Sequence, residues 1–179
     1  MNIDFKNDYY RNTGKRFKFG AKSLVQILFS HQIRYLFWLR KANKAPNFIK
    51  RIILKKFASK YGLEISPKAK IGTGLYLGHP YNITVSPMAS LGNNVNLHKG
   101  CTIGAENRGK RIGAPQIGNC VSVGINATVV GNISIGDDVL IAPNSFVNFD
   151  VPAHSVVIGN PATIHSKENA TQGYIGFRV

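Results

Sequence analysis

The sequence contains few acidic residues, few cysteines and no recognisable export signal. Only 8 of its 179 residues are Asp or Glu, against 23 Lys and Arg, so the formal net charge is +15. The 2 cysteines, Cys101 and Cys120, are too few for a disulfide framework. The opening residues lack the apolar segment and the small-residue cleavage site of a signal peptide. These absences favour a protein of the reducing cytoplasm.

The acidic residues are scarcest in the first third of the chain. Residues 1–60 carry 15 Lys and Arg but only Asp4 and Asp8, whereas residues 61–179 carry 8 basic and 6 acidic side chains. The basic character of the protein therefore belongs to an N-terminal arm, and the rest of the chain is close to neutral.

Two segments of this arm have helical patterns. Gln, His and Arg side chains interrupt the apolar stretch 22–42, which argues against a membrane-spanning helix. A second segment, opened by Ala45-Pro46, has apolar residues near helical spacing and a stop signal at Gly62. We therefore expect a basic arm, residues 1–61, made of two helices.

A six-residue period dominates the chain from Leu63 onward. Aliphatic residues recur every six positions, and a second small or apolar position follows four residues after each of them. A six-residue unit is too short to hold a helix, so each unit must be a short strand and a turn, with three units closing one triangular coil. The pattern predicts a parallel β-helix. The aliphatic positions in its most regular part are Ile117, Val123, Val129, Ile135, Ile141 and Val147.

Two insertions interrupt this period. Two extra residues fall at His79-Pro80-Tyr81, and eight extra residues fall within 104–116. Breaks in a solenoid are where functional segments are inserted. We therefore expect a β-helix over residues 62–165 with an extruded loop at 104–116, followed by a C-terminal tail, residues 166–179.

Several motifs together resemble the serine acetyltransferase family of hexapeptide-repeat enzymes. They span residues 62–164 and are GLEISPKAKIGTG, GHPYN, NNVNLHKGCTIG, APQIGN and VPAHSVVIGNPATI. The resemblance is closer to the short exopolysaccharide O-acetyltransferases related to that family. It implies that the β-helix is left-handed, although parallel crossovers are normally right-handed. It also implies acetyl transfer from acetyl-CoA to a hydroxyl group.

The resemblance implies two catalytic residues. The histidine of the GHPYN motif, His79, corresponds to the general base of the family, and imidazole suits this role because it titrates near neutral pH. The orienting Asp of the family, fifteen residues earlier, corresponds to Glu64, which keeps the carboxylate on a longer side chain. His98 lies about one coil after His79, so it belongs either to the acceptor pocket or to the supporting structure. The other candidate substrate-binding residues are Tyr81, Asn82, Lys99, Arg108 and Arg111.

Three positions argue for a sugar as the acceptor. Serine acetyltransferases hold the charged groups of the amino acid with an Asp beside the base and an Arg-His pair at the end of the loop. These positions correspond to Gly78, Gly113 and Ala114. A site without partners for an ammonium and a carboxylate should bind a free amino acid poorly. We therefore expect a sugar hydroxyl of surface polysaccharide biosynthesis, with serine O-acetylation in cysteine biosynthesis as the alternative.

The resemblance further implies a homotrimer with acetyl-CoA bound between neighbouring subunits. No metal is expected, because the thioester is already reactive and the histidines lack the spacing of a zinc site. The residues expected around acetyl-CoA are Gly104, Ala105, Gly124, Ala142 and Asn160, with Lys110, Arg111 and Lys167 as the candidates near its phosphates.

The basic arm admits more than one role. Its helices could cover the open end of the coil stack, since terminal coils of a solenoid need a cap. Its Lys and Arg side chains could also hold the protein at the anionic inner face of the membrane. Nucleic-acid binding is not expected, because the chain contains no RNA-binding or DNA-binding motif. A non-enzymatic structural solenoid would not need the aligned histidine, carboxylate and loop.

Overall fold

In the computed structural model, which describes residues 2–44 and 47–179, the N-terminal arm contains four helices. They are α1 (Ile3–Thr13), α2 (Ala21–Phe29), α3 (His31–Lys44) and α4 (Phe48–Tyr61). The sequence predicted two, because α1 is largely polar and because the apolar stretch 22–42 breaks at Ser30. The predicted start of the second segment, Ala45-Pro46, lies outside the described residues. Within those residues no helix combines the length and apolarity needed to span a bilayer.

Local sequence sets both ends of α4. The side-chain oxygen of Asn47 accepts a hydrogen bond from the backbone N–H of Lys50 at 2.9 Å and caps the first turn. Gly62 ends the helix in the left-handed conformation, with φ of 65°, which costs glycine little because it has no Cβ. The predicted stop at Gly62 is confirmed.

The rest of the chain forms a left-handed parallel β-helix of about five turns, as predicted. Its three sides have the strand orders β1-β4-β7-β10-β13, β2-β5-β8-β11 and β3-β6-β9-β12-β14-β15, and the last pair, β14 and β15, is antiparallel. A short 3-10 helix, Gly109–Arg111, lies in the extruded loop. The strands are β1 (Glu64–Ile65), β2 (Lys70–Ile71), β3 (Tyr76–Gly78), β4 (Thr84–Val85), β5 (Ser90–Leu91), β6 (Asn96–His98), β7 (Thr102–Gly104), β8 (Gln116–Ile117), β9 (Ser122–Val123), β10 (Thr128–Val130), β11 (Ser134–Ile135), β12 (Val139–Ile141), β13 (Phe146–Val147), β14 (Ser155–Gly159) and β15 (Ala162–Ser166).

The interior of the β-helix is filled by the residues that the six-residue period selects. The aliphatic positions from Ile117 to Val147 are all at most 4% exposed. Cys101 occupies an inward position of its coil, as predicted, and burial raises the pKa of its thiol to about 12. The thiol is therefore protonated at neutral pH and packs as a small apolar group.

A buried ion pair joins the arm to the first coil. The Asp8 carboxylate of α1 accepts hydrogen bonds from Arg40 of α3 at 2.7 and 3.0 Å and from the backbone N–H of Leu75 at 2.8 Å. Arg40 also donates to the carbonyls of Ile71 at 2.8 Å and Gly72 at 2.6 Å. Burial raises the pKa of Asp8 although Arg40 opposes the shift, so pairing does not fully offset desolvation. The arm thus covers the start of the coil stack, which supports its interpretation as a cap.

The C-terminal tail folds back across the outer face of the sheet that contains β3, β6 and β12. The Asp138 carboxylate accepts hydrogen bonds from the backbone N–H groups of Ala170 and Thr171, both at 3.0 Å, and from the Thr171 hydroxyl at 2.7 Å. The Asn96 side chain in β6 donates to the carbonyl of Tyr174 at 3.0 Å. The tail is therefore held along the side of the β-helix by polar side chains of the strands and turns beneath it.

Candidate active site

His79 lies in a tight turn that follows β3. Its backbone is left-handed, with φ of 49°, and its carbonyl accepts a hydrogen bond from the N–H of Tyr81 at 2.8 Å. The next coil supports the turn. The backbone N–H of Lys99 donates to the Gly78 carbonyl and that of Gly100 donates to the Tyr81 carbonyl, both at 2.9 Å. The His79 side chain is exposed. The turn therefore presents an imidazole to solvent on a backbone that is fixed by hydrogen bonds.

His98 lies against this turn from the neighbouring coil. It ends β6 and is the parallel partner of Gly78, which ends β3. Its ring covers Gly78 so closely that a Cβ on the glycine would clash with the His98 Nδ1 atom. Burial lowers the pKa of His98, and the charge of His79 lowers it further. The structure therefore brings the two histidines together, and it keeps the His98 ring neutral at neutral pH.

Glu64 is the first residue of β1. This strand lies beside β4, the strand that follows the His79 turn. The Glu64 backbone pairs with Thr84 in β4, and its side chain is exposed. No hydrogen bond within the described part of the chain joins its carboxylate to His79. Burial raises the pKa of the Tyr35 phenol, and the Glu64 charge adds to this shift. The predicted orienting role of Glu64 toward His79 therefore stays a prediction.

Tyr81 connects the His79 turn to the arm. The centre of its ring lies 5.2 Å from that of His31, at the start of α3, and 5.8 Å from that of Tyr61, at the end of α4. The backbone N–H of Asn82 donates to the Tyr61 carbonyl at 3.0 Å. The contacts of His31 and Tyr61 were not predicted, and the one signal in the sequence is that His31 interrupts an apolar stretch. Tyr81 and Asn82 thus anchor the turn, whatever they contribute to substrate binding.

A cavity of about 360 Å³ opens beside His98 on the outer face of the sheet. Its walls include Arg11 of α1, Asn96 of β6 and the tail around Gly176. Arg11 is buried and donates hydrogen bonds to the Gly74 carbonyl at 3.1 Å, to Asn96 and to Gly176. Burial lowers the pKa of Arg11 to about 10, so it remains a cation at neutral pH. Nothing in its local sequence predicted this position, because its partners are all distant along the chain.

The extruded loop gathers the predicted cations in one groove of about 270 Å³. The charged residues that line it are Glu106, Arg108, Lys110 and Arg111. The carboxylate of Glu106 accepts hydrogen bonds from the backbone N–H groups of Asn107 at 2.9 Å and Arg108 at 3.1 Å, which fixes the start of the loop. Gly104 and Ala105 lead into this loop from β7. Three cations on one short segment favour an anionic ligand such as a phosphate group.

The remaining acetyl-CoA candidates lie on later coils. Gly124 and Ala142 stack on adjacent coils, so that a Cβ on Gly124 would lie 2.9 Å from the carbonyl carbon of Ala142. Asn160 and Lys167 are both exposed and lie on either side of β15. The backbone N–H of Lys167 donates to the His154 carbonyl at 2.8 Å. These residues therefore belong to two places, the stacked turns after β9 and β12 and the closing hairpin.

Known proteins match this chain over most of its length. A family model described as "Bacterial transferase hexapeptide (six repeats)" matches residues 114–148. The serine acetyltransferase of Helicobacter pylori (strain ATCC 700392 / 26695) is 33% identical over 138 residues, which are 77% of this chain and 74% of that protein. Serine acetyltransferase 2 of Arabidopsis thaliana is 32% identical over 135 residues, which are 75% of this chain and 41% of that protein.

Solved structures of serine acetyltransferases have the same fold. The Neisseria gonorrhoeae enzyme in complex with serine superposes with a TM-score of 0.72 and 29% identity, covering 91% of this chain and 66% of that chain. The enzyme from Brucella abortus strain S19 in complex with Coenzyme A gives a TM-score of 0.74 and 26% identity, covering 93% of this chain and 66% of that chain. The chain therefore spans just under two thirds of each of these solved relatives.

The predicted sugar acceptor is wrong, because these relatives are named serine acetyltransferases. The predicted closer relation to exopolysaccharide O-acetyltransferases has no support in them either. The error was to treat the small residues at three positions as the loss of amino-acid recognition. In the structure the His98 ring fills the space above Gly78, and a Cβ on Gly113 would lie 3.0 Å from the Asn132 side chain. Ala114 is buried. Packing limits the size of Gly78 and Gly113, and Ala114 lies in the core, so these three residues do not identify the acceptor.

The sequence matches and the fold both identify the serine acetyltransferase family. The Helicobacter pylori relative exceeds 30% identity over about three quarters of both proteins. The hexapeptide repeats and the N-terminal helices agree with the solved relatives. The prediction of an acyltransferase is confirmed, and the chain belongs to the serine acetyltransferase family.

Proposed function

We propose that this chain transfers an acetyl group from acetyl-CoA to the hydroxyl of L-serine. The observation that carries the proposal is the exposed imidazole of His79, held beside His98 in a β-helix whose relatives are serine acetyltransferases. The Neisseria gonorrhoeae relative was solved with serine and the Brucella abortus relative with Coenzyme A. Both complexes support the proposed pair of substrates.

In the proposed reaction His79 is the general base. Its imidazole takes the proton of the serine hydroxyl while the hydroxyl oxygen forms a bond to the acetyl carbon of the thioester. The bond between that carbon and sulfur breaks, and the proton then passes from His79 to the departing thiolate. The products are O-acetylserine and the thiol of coenzyme A. Imidazole suits both proton transfers because its ring nitrogen can accept a proton and then release it, and the exposure of His79 allows both substrates to reach it.

His98 and Glu64 are proposed to assist the base in different ways. Burial keeps the His98 ring neutral, so it can form a hydrogen bond beside His79 without adding a second positive charge. We assign His98 to the wall of the acceptor pocket. Glu64 lies beside Thr84 of β4, the strand that follows the His79 turn, and its carboxylate would stabilise the positive charge that His79 acquires during the reaction.

The acceptor carries its own charges, which need partners within the site. Lys99 follows His98 and bonds the Gly78 carbonyl through its backbone N–H, so it lies next to the His79 turn. Lys99, Arg108 and Arg111 are our candidates for the carboxylate of serine. Tyr81 and Asn82 are candidates for hydrogen bonds to its polar groups, because they follow His79 in the same turn.

The residues of the extruded loop fit acetyl-CoA. Its nucleotide end carries several phosphates, and the loop groove concentrates Arg108, Lys110 and Arg111. We propose that Lys110 and Lys167 hold these phosphates, while Arg108 and Arg111 of the same groove are the candidates for the carboxylate of serine. The proposed lining of the pantetheine arm is Gly104, Ala105, Gly124, Ala142 and Asn160.

We also propose a cytoplasmic homotrimer in which acetyl-CoA lies between neighbouring subunits. The flat faces of a β-helix support self-association, because identical faces are available on every copy. Neither a metal nor a nucleic acid is part of the proposed reaction. Among the residues that the structure describes, no group of three or more His, Cys, Asp or Glu side chains is placed to hold a metal ion.

The test is the release of coenzyme A thiol from acetyl-CoA with L-serine as acceptor. We expect a rate that saturates with L-serine, and mass spectrometry should identify O-acetylserine as the product. L-alanine carries the same charged groups without the hydroxyl and should give no release. A folded protein that releases no thiol with L-serine would contradict the proposed function.

A further inference from the structure

Helix α2 exposes an apolar stripe on the surface of the arm. Ser23 and Ile27 face inward, whereas most of the apolar side chains around them face solvent. The exposed apolar residues are Phe19, Leu24, Val25, Leu28 and Phe29, of which Phe19 and Phe29 are 78% and 80% exposed. Scattered apolar residues are common on protein surfaces, but a contiguous stripe with two exposed aromatic rings marks a contact surface.

Cations accompany this stripe in the sequence, and Lys15 and Lys22 line one cavity together with Val25. Lys15, Arg16, Lys18 and Lys22 are all exposed. The sequence contains no Asp or Glu between Asp8 and Glu64. We call the five apolar residues and these four cations the α2 face. Such a face attracts a partner that offers negative charge and apolar volume together.

The distribution of acidic residues argues against a second copy of this chain as that partner. Symmetric pairing of two α2 faces would bring like charges together. Asymmetric pairing would need an acidic surface, and the chain has 8 acidic residues spread over its length. Of these, Asp8 is buried against Arg40, and the Asp138 carboxylate is engaged by the tail. Among the remaining carboxylates that the structure describes, Asp137 and Glu168 lie around His154, and Glu106 lies among the three cations of the extruded loop. These carboxylates already have positive or protonatable neighbours on their own chain, which makes them poor partners for a second α2 face.

The aliphatic side chains argue against a nucleic acid. Phosphates would match the cations, but single-stranded nucleic acids bind side chains mainly by stacking bases on aromatic rings. Leu24, Val25 and Leu28 would gain little from such stacking. A phospholipid bilayer offers acyl chains for these residues and anionic headgroups for the cations.

We propose that the α2 face docks onto an anionic phospholipid surface, with the helix lying in the plane of the interface. Because α2 has 9 residues, it rests on the bilayer without crossing it. The helix ends two residues before His31, whose ring contacts Tyr81 of the His79 turn. Docking therefore holds the candidate active site close to the membrane surface. The inference does not depend on the proposed acetyl transfer.

The apolar part of the face is tested by co-sedimentation of the full chain with vesicles. We expect binding to vesicles of phosphatidylcholine and phosphatidylglycerol, little binding to phosphatidylcholine alone, and weaker binding at high salt. Phe29→Glu should weaken binding about tenfold or more. Met88→Glu places a carboxylate at an exposed apolar position of the β-helix and should bind like the unaltered chain.

The cationic part has its own matched pair of variants. Lys18→Gln with Lys22→Gln removes two cations of the α2 face and should weaken binding to anionic vesicles about 30-fold. Lys68→Gln with Lys70→Gln removes two exposed cations of the β-helix and should leave binding close to its original strength. Circular dichroism of each variant checks that the fold is kept.

Three outcomes would overturn the proposal. The first is equal binding to neutral and anionic vesicles, and the second is an equal loss of binding in Phe29→Glu and Met88→Glu. The third is no vesicle binding by the unaltered chain. Its mass would then be measured as a function of concentration, and its binding to RNA would be tested, each with Phe29→Glu as the comparison. A mass increase or an RNA complex that Phe29→Glu abolishes would identify the other partner. In that case the α2 face joins copies or binds nucleic acid. Activity with L-serine bears only on the proposed function, so the two proposals fail separately.

Discussion

In the β-helix each coil buries its side chains at positions set by the repeat, whereas the arm is joined to the β-helix by buried contacts between distant residues that no repeat relates. Leu77, Leu97 and Val123 are partners on successive coils and are fully buried. In the arm, Asp8 meets Arg40 and a backbone N–H of the first coil. A repeat can be identified from a short window of sequence, but contacts of the second kind cannot.

The two regions also differ in what they leave exposed. The β-helix part of the chain has nearly balanced charge, while the arm combines 15 basic residues with exposed aromatic and aliphatic side chains. A region that only capped the coil stack would need apolar side chains on its inward face alone. The inward face of the arm covers the first coil, and its outer face carries the residues of the proposed lipid-docking surface.

Removing the buried Asp8–Arg40 ion pair, which joins the two regions, should have the largest effect on stability. Asp8→Ala leaves the buried Arg40 guanidinium without its carboxylate, and we expect the free energy of unfolding to fall by about 3–5 kcal/mol. Asp4→Ala removes a partly exposed carboxylate from the same helix and should cost about 0.5 kcal/mol. Urea unfolding followed by circular dichroism measures both. Equal losses would show that Asp8 does not join the arm to the β-helix.

A matched leucine pair compares the two regions directly. Leu97→Ala opens a cavity inside the β-helix and should lower the free energy of unfolding by about 3 kcal/mol. Leu28→Ala removes an exposed side chain of α2 and should change it by less than about 0.5 kcal/mol. A large loss for Leu28→Ala in dilute solution would mean that the outer face of α2 is already covered within the protein.

The smallest expected effect concerns the tail on the β-helix. Partial burial would raise the pKa of Asp138, but hydrogen bonds from the Thr171 hydroxyl and backbone, from His154 and from Ala170 outweigh it and lower the pKa to about 2. Because the pKa is lowered, this contribution to tail docking is present above about pH 4 and is lost as the pH falls toward 2. The hydrogen bond between His154 and Asp138 also raises the pKa of His154. The stabilisation from this pair is therefore present below about pH 6.5 and is lost as the pH rises through the raised pKa of His154.

The amide chemical shifts of Ala170 and Thr171 report this docking. We expect native shifts between about pH 4 and 6.5 and a movement toward unstructured values as the pH falls toward 2. Asp138→Asn should produce part of that movement at neutral pH. Asp137→Asn alters a neighbouring carboxylate that bonds Asn119 instead, and it should leave the shifts unchanged. A pH-independent tail would contradict the assigned role of Asp138.

The sequence was sufficient for most of the β-helix because each inward position is set by local spacing. Ile117 to Val147 followed the period, and the Gly62 stop followed from the conformation that glycine alone adopts easily. The position of His98 one coil after His79 also followed from counting residues around a coil. These predictions needed only the geometry of a repeat.

The remaining features depend on contacts between distant segments. Helix α1 has a polar sequence, and its buried residues become evident only when Asp8 and Arg11 meet the backbone of the turn before β3. The acceptor was mispredicted because Gly78 was interpreted through the side chain it lacks, whereas in the structure its size is set by the His98 ring. A single sequence shows which side chain is missing but not what fills its space.

The central claim, that His79 is the base of an acetyl transfer to L-serine, is tested most directly by the rate of coenzyme A thiol release in His79→Gln. We predict a loss of about 100-fold or more in kcat with folding unchanged, since a positioned general base contributes at least that factor. His165→Gln, at an exposed position of β15, should keep the original rate. A His79→Gln variant that acetylates L-serine as fast as the unaltered chain would contradict the account.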